Sequence, residues 1–167
     1  MQCYKTFVII QAKTDIGNKL KNVLPKHTPI DHVGSTAIPD ICGKNIIDIL
    51  VGANNMEEFD NFKKTITSLG YYASKNSKSD IYQFFASREG ETGDGDSHIH
   101  LVIIDSERYR EFIILRNYLL ANPSEAQAYS DHKKELVNMG ITDRRLYRQT
   151  KSEYVTNLIE RAKQAIK

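Results

Sequence analysis

The run Ile46-Ile47-Asp48-Ile49-Leu50-Val51 constrains this chain more than any other stretch. Apolar, β-branched and bounded by Gly43 and Gly52, it reads as a strand covered on both faces. Asp48 is its one interruption. An unpaired carboxylate in such a place costs several kcal/mol, so it is normally paired, hydrogen-bonded or bound to a cation. Two readings follow: a site residue, or an aspartate that caps a turn or pairs with Lys44 or an arginine.

Around that strand the pattern alternates in type. Val8, Ile9, Ala12, Ile16, Leu20 and Val23 recur at helical steps until Pro25 ends them. Ile30 to Val33 is a short strand stopping at Gly34-Ser35, with a turn-rich stretch after it. Met56 to Leu69 is an amphipathic helix, and Tyr71 to Ser74 and Ile81 to Ser87 are strands. REGETGDGDS is an acidic, glycine-rich loop, and His98 to Ile104 is another buried strand. From Glu107 every signal is helical: Phe112 to Leu120 ends near Asn122-Pro123, Ser124 caps a helix stopped by Gly140, and Thr142 or Asp143 caps the last one. The order of elements predicts an α+β domain with a mixed sheet, flanking helices and a C-terminal helical segment, rather than a doubly wound sheet.

The chain's 167 residues fit a single domain, 1–167. With 23 basic and 21 acidic residues, charge does not indicate a nucleic-acid partner. The first apolar stretch is broken by Gln11, Lys13 and Asp15, so neither a signal peptide nor a membrane span is expected, and the cytoplasm is the default location. Cys3 and Cys42 lack metal-ligand spacing and are expected as reduced thiols. No feature sets an oligomeric state.

Three places carry chemistry. A glycine at Gly34-Ser35-Thr36 lets the backbone approach an anion, and a short helix from Thr36 to Ile38 would turn its N–H groups towards it. Asp48 is the second. His98 and His100, two apart on a strand, point to one face and suit a divalent metal, a proton relay or a phosphate contact. Strand histidines are also common as packed, hydrogen-bonded residues.

A Gly-Ser turn followed after thirteen residues by an acid in a hydrophobic strand resembles the signature of the DNA polymerase β-type nucleotidyltransferases. Within that superfamily, HVGSTAIPDICGKNIIDILV, His32 to Val51, resembles the hallmark segment of the GrpB family, and HIHLVI, NPSEAQAYSDHKKEL and YRQTKSEYV resemble its downstream segments. The resemblance implies a nucleotidyltransferase-like fold that takes a nucleotide or other phosphorylated small molecule. His32, Gly34, Ser35, Thr36, Lys44, Arg116 and Lys151 become its phosphate contacts. Asp48, His98 and His100 become the catalytic residues, with Asp48 and His100 on Mg²⁺. The alternative is a binding module or interaction domain with a degenerate site. Asp40 stands where the family has glycine, Asn45 where it has proline, and two residues after Asp48 comes Leu50 instead of a carboxylate.

Overall fold

Strand parity explains Asp48. A computed structural model describes residues 6–43, 45–75, 77, 79–88, 95–139 and 144–166. In β2, Ile47–Ala53, the odd positions Ile47, Ile49, Val51 and Ala53 enter one core, shared with Leu20, Phe59, Phe62, Ile66, Phe85, Ile99 and Leu101. Successive side chains alternate faces, so Asp48 and Leu50 face the other way. The polar residue in the apolar run marks the second face of the sheet.

Four more strands complete the sheet: β1 Ile30–Val33, β3 Tyr72–Ala73, β4 Tyr82–Ala86 and β5 Ser97–Ile103. Their order is β1-β2-β5-β4-β3. β2 and β5 run parallel, with Asp48 opposite His98 and Leu50 opposite His100. β1 lies antiparallel to β2 and sets Val33 opposite Asp48. This mixed sheet bears out the α+β expectation.

α1, Thr6–Val23, and α2, Met56–Ser68, cover the first face. Asn55 caps α2 by accepting from Glu58 N at 2.9 Å. The second face carries α3, Glu107–Ala121, whose Tyr109, Phe112 and Ile113 pack on Val33, Leu50 and Val102. α4, Pro123–Asn138, and α5, Arg144–Ala165, form a layer beyond it. Leu119, Ala126, Tyr129 and Leu158 from these three helices enclose Ile38 and Ile41, which follow the Gly-Ser turn. Ser130 Oγ, fully buried, accepts from Cys42 N at 2.9 Å and ties that loop to α4.

Local differences have local causes. The expected helix at Thr36 to Ile38 is a single 3₁₀ turn, Ser35–Ala37, too short to carry a macrodipole. Ser124 is not the cap of α4: Pro123 already starts the helix and Asn122 precedes it, its amide given to Tyr118 O at 2.8 Å. Gly140, Thr142, Asp143 and residues 89–94 of the acidic loop lie outside the described residues. Asp40 adopts φ 59°, the left-handed conformation that suits glycine. Cys42, expected as a thiol, is disulfide-bonded. Spacing along a chain does not report which sulfurs meet in the fold, and the other cysteine, Cys3, lies outside the described residues. Among the described residues no helix is long and apolar enough to cross a membrane.

Candidate functional site

Asp48 is the centre of the polar cluster on the second face. Its Oδ1 lies 3.1 Å from His98 Nδ1 and 3.4 Å from His100 Nε2. An ionised carboxylate only accepts, so both ring nitrogens carry the protons. His100 Nδ1 lies 3.0 Å from the hydroxyl of Tyr82, which completes a chain from β4 through β5 to β2. Phe84 lies edge-on to His98, with ring centroids 4.8 Å apart, and Phe112 lies 4.7 Å from His100. Burial works to raise the Asp48 carboxyl, but hydrogen bonds and charge from His100 and His98 outweigh it and hold the group well below the usual carboxylate range.

The other oxygen, Oδ2, faces Gly34. A Cβ on Gly34 would collide with it, and would lie 3.0 Å from both Cβ and Cγ of Asp48. Gly34 also sits at φ 72°, ψ −170°, a region open essentially to glycine alone. The turn and the strand acid therefore require each other.

His32 is placed by a relay of its own. Thr36 Oγ1 donates to Ile46 O at 3.1 Å, which leaves it to accept from His32 Nε2 at 2.9 Å. Burial, then the charge of Lys13, pushes the His32 imidazole down to about 4, with Asp48 opposing. The hydrogen bond to Thr36 ties the ring to the turn. Arg116, expected as a phosphate contact, is committed elsewhere: Nη1 donates to Asp31 Oδ1 at 2.7 Å and to His32 O at 3.3 Å, and Nε to Asn117 Oδ1. It braces β1 from α3. Lys44 lies outside the described residues.

The residue that the sequence reading missed is Lys133. It is 2% exposed, and its Nζ donates to Ser35 Oγ at 3.1 Å and lies 4.4 Å from the centroid of the Tyr129 ring. Burial, reinforced by the charges of Lys151 and Lys134, pushes its ammonium down to about 7. Among the described residues no carboxylate pairs with it. Lys151 from α5 shares the neighbourhood. Its ammonium is held above its ordinary value chiefly by the Tyr129 phenol, against burial, with Asp48 and Tyr147 adding.

The signal for both lysines was present in the helices. The buried face of α4 is Ala126, Tyr129, Ser130, Lys133 and Leu136, at three- and four-residue steps. Lys133 belongs to that stripe, and Lys151 is in step with Tyr154, Val155 and Leu158 on α5.

Comparison with known proteins fits this picture. Residues 11–161 match the family described as GrpB protein. The chain belongs to the GrpB family. It is 31% identical to the glutamate-rich protein GrpB of Alkalihalophilus pseudofirmus, over 88% of this chain and 82% of that protein. A UPF0157 protein of Pseudomonas aeruginosa is 29% identical over 80% of this chain, which spans about half (54%) of that relative's length. The crystal structure of conserved protein GrpB from Enterococcus faecalis superposes with a TM-score of 0.79 at 23% identity, covering 95% of each chain. A cytoplasmic RNA terminal U-transferase shares the fold at a TM-score of 0.54 and 12% identity, over 83% of this chain and 42% of that one. The GrpB chain thus has a nucleotidyltransferase-like fold.

The Mg²⁺ expected on Asp48 and His100 would find a single carboxylate in this cluster. Magnesium takes oxygen ligands in a near-octahedral set. Leu50, where a second acid would stand, is fully buried against Val33 and Val102. Asp48 and His100, expected to share a metal, are hydrogen-bonded to one another, and His98 also occupies the same Oδ1. Among the described residues no group of three or more His, Cys, Asp or Glu side chains could hold a metal ion.

Proposed function

We propose that this GrpB chain binds a nucleotide, or another phosphorylated small molecule, with its phosphates against the Gly34-Ser35 turn. The observation that carries this reading is the buried Lys133 on Ser35 Oγ, with Lys151 beside it. Lys133 donates to the Ser35 hydroxyl, the charge of Lys151 bears on Lys133, and among the described residues no carboxylate pairs with Lys133. A phosphate supplies an anion there, and charge-assisted hydrogen bonds from a desolvated ammonium are about twice as strong as neutral ones. The nucleotidyltransferase-like fold supports nucleotides as the first ligands to screen.

The test is a thermal-shift screen of nucleoside triphosphates, CoA-type ligands and pyrophosphate, with Mg²⁺ and with chelator. Stabilisation in both conditions, lost in Lys133→Met, is expected. An equal shift in that variant, or none from any phosphorylated ligand, would contradict the reading.

A second reading, nucleotidyl transfer, is favoured by the position of Asp48 against Gly34 with both histidines on it. An acceptor hydroxyl would pass its proton to this cluster and attack the α-phosphorus, and pyrophosphate would leave. Release of pyrophosphate in the presence of an acceptor separates transfer from binding alone. Loss of that release in Asp48→Ala, with ligand binding retained, is the result this reading requires.

A further inference from the structure

The contact between Ser35 and Lys133 also has the parts of a nucleophile and its base. Ser35 follows the sharp bend at Gly34, where φ 72° swings the chain out of β1, and it is only half-buried. Lys133 is nearly inaccessible, 3.1 Å from the hydroxyl, and held on its far side by the Tyr129 ring. A serine hydroxyl attacks well only when a base within hydrogen-bond reach takes its proton and a third group orients that base. A lysine serves once burial and a neighbouring cation favour its neutral amine.

We infer that Ser35 is a nucleophile, with Lys133 as its general base, towards a carboxylic ester that carries an anionic group. In the first step Nζ takes the Oγ proton while Oγ bonds to the acyl carbon. The ester C–O bond then breaks, and the departing alkoxide takes that proton from Nζ. Water repeats the sequence on the acyl-Ser35 and releases the carboxylic acid. Lys151 meets the anionic group of the substrate. Among the described residues, the groups facing Lys133 are Ser35 from the 3₁₀ turn, Tyr129 and Lys134 on its own helix, and Lys151 from α5. None of these steps needs Asp48 or a bound nucleotide, so the inference stands apart from the function proposed above.

The whole chain is treated with a fluorophosphonate probe, which forms an Oγ–P bond as fluoride leaves, and the adduct is mapped by peptide mass spectrometry. A single adduct at Ser35 is expected, with a rate that rises through pH about 7. Lys133→Met should slow it by roughly 100-fold or more, the usual worth of a general base. Lys133→Arg keeps the charge and the hydrogen bond but not the base, and should be as slow. No adduct at Ser35 while a control serine hydrolase is labelled would overturn the inference, as would an undiminished rate in either variant. Circular dichroism checks their folding. Should both variants unfold, the wild-type pH profile decides, and a flat one overturns the proposal. Pyrophosphate binding, measured on the same samples by calorimetry, shows whether the ligand reading stands or falls separately.

Discussion

The carboxylate of Asp48 occupies the space that a side chain on Gly34 would fill. One residue follows β1 and the other lies in β2, and their contact joins the turn to the polar face of the sheet. Gly34→Ala meets both the collision and an unfavourable backbone region. A loss of about 2–4 kcal/mol in urea unfolding is expected, since such a conformation alone costs about 1–3 kcal/mol. In Gly34→Ala with Asp48→Ala the collision with the carboxylate disappears and only the 3.0 Å approach to Cβ remains, so the double variant should lose less than the sum of the two single ones. Strict additivity would show that the contact is unimportant.

His32 makes stability depend on pH. Its imidazole titrates at about 4 in the folded chain against 6.5 ordinarily, so the unfolded chain binds the extra proton between those values. Stability should therefore fall as pH drops from 6.5 to 4, by up to about 3 kcal/mol, and this contribution should level off below. His32→Gln keeps a donor for Thr36 and does not titrate. Its urea midpoints across the same range should be flatter than those of the wild type.

Much of this arrangement was legible in the sequence, for reasons that differ by residue. Asp48 announced itself because a charge in an apolar strand is costly anywhere, and the fold explains it by strand parity. His98 and His100 were legible as a same-face pair, but their partner was not, because Asp48 meets them only through the parallel pairing of β2 with β5. Lys133 is not legible in this way, because a lysine on a helix usually faces water. Only its step with Ala126, Tyr129 and Ser130 distinguishes it from Lys134 next to it, which pairs with Asp131 at 2.9 Å. Arg116 stands out only through family resemblance, which marks a residue without saying what it holds.

Arg116 should behave as a strut. Its guanidinium joins Asp31 and the His32 carbonyl, with the ion pair partly shielded from water. Arg116→Ala is expected to cost about 1–2 kcal/mol of stability, in the range of hydrogen bonds to charged groups. Pyrophosphate affinity at a temperature where the variant is folded should change less than threefold. A tenfold loss of affinity would return it to the ligand contacts.

Binding should carry a proton with it. Lys133 is held near pH 7 while it lacks an anion, and a bound phosphate favours its charged form. At pH 8, calorimetric titration of pyrophosphate in two buffers of different ionisation enthalpy should reveal uptake of a large fraction of one proton per site. Lys133→Met should abolish that uptake. Binding without proton uptake in the wild type would mean that Lys133 is already charged.

The most direct test of phosphate binding at Gly34-Ser35 is a crystal structure of the chain soaked with a nucleoside triphosphate under chelating conditions. The expected result is phosphate density within hydrogen-bond distance of both Ser35 Oγ and Lys133 Nζ, with Lys151 turned towards it. Phosphates bound away from that turn, or a vacant turn at saturating nucleotide, would contradict it.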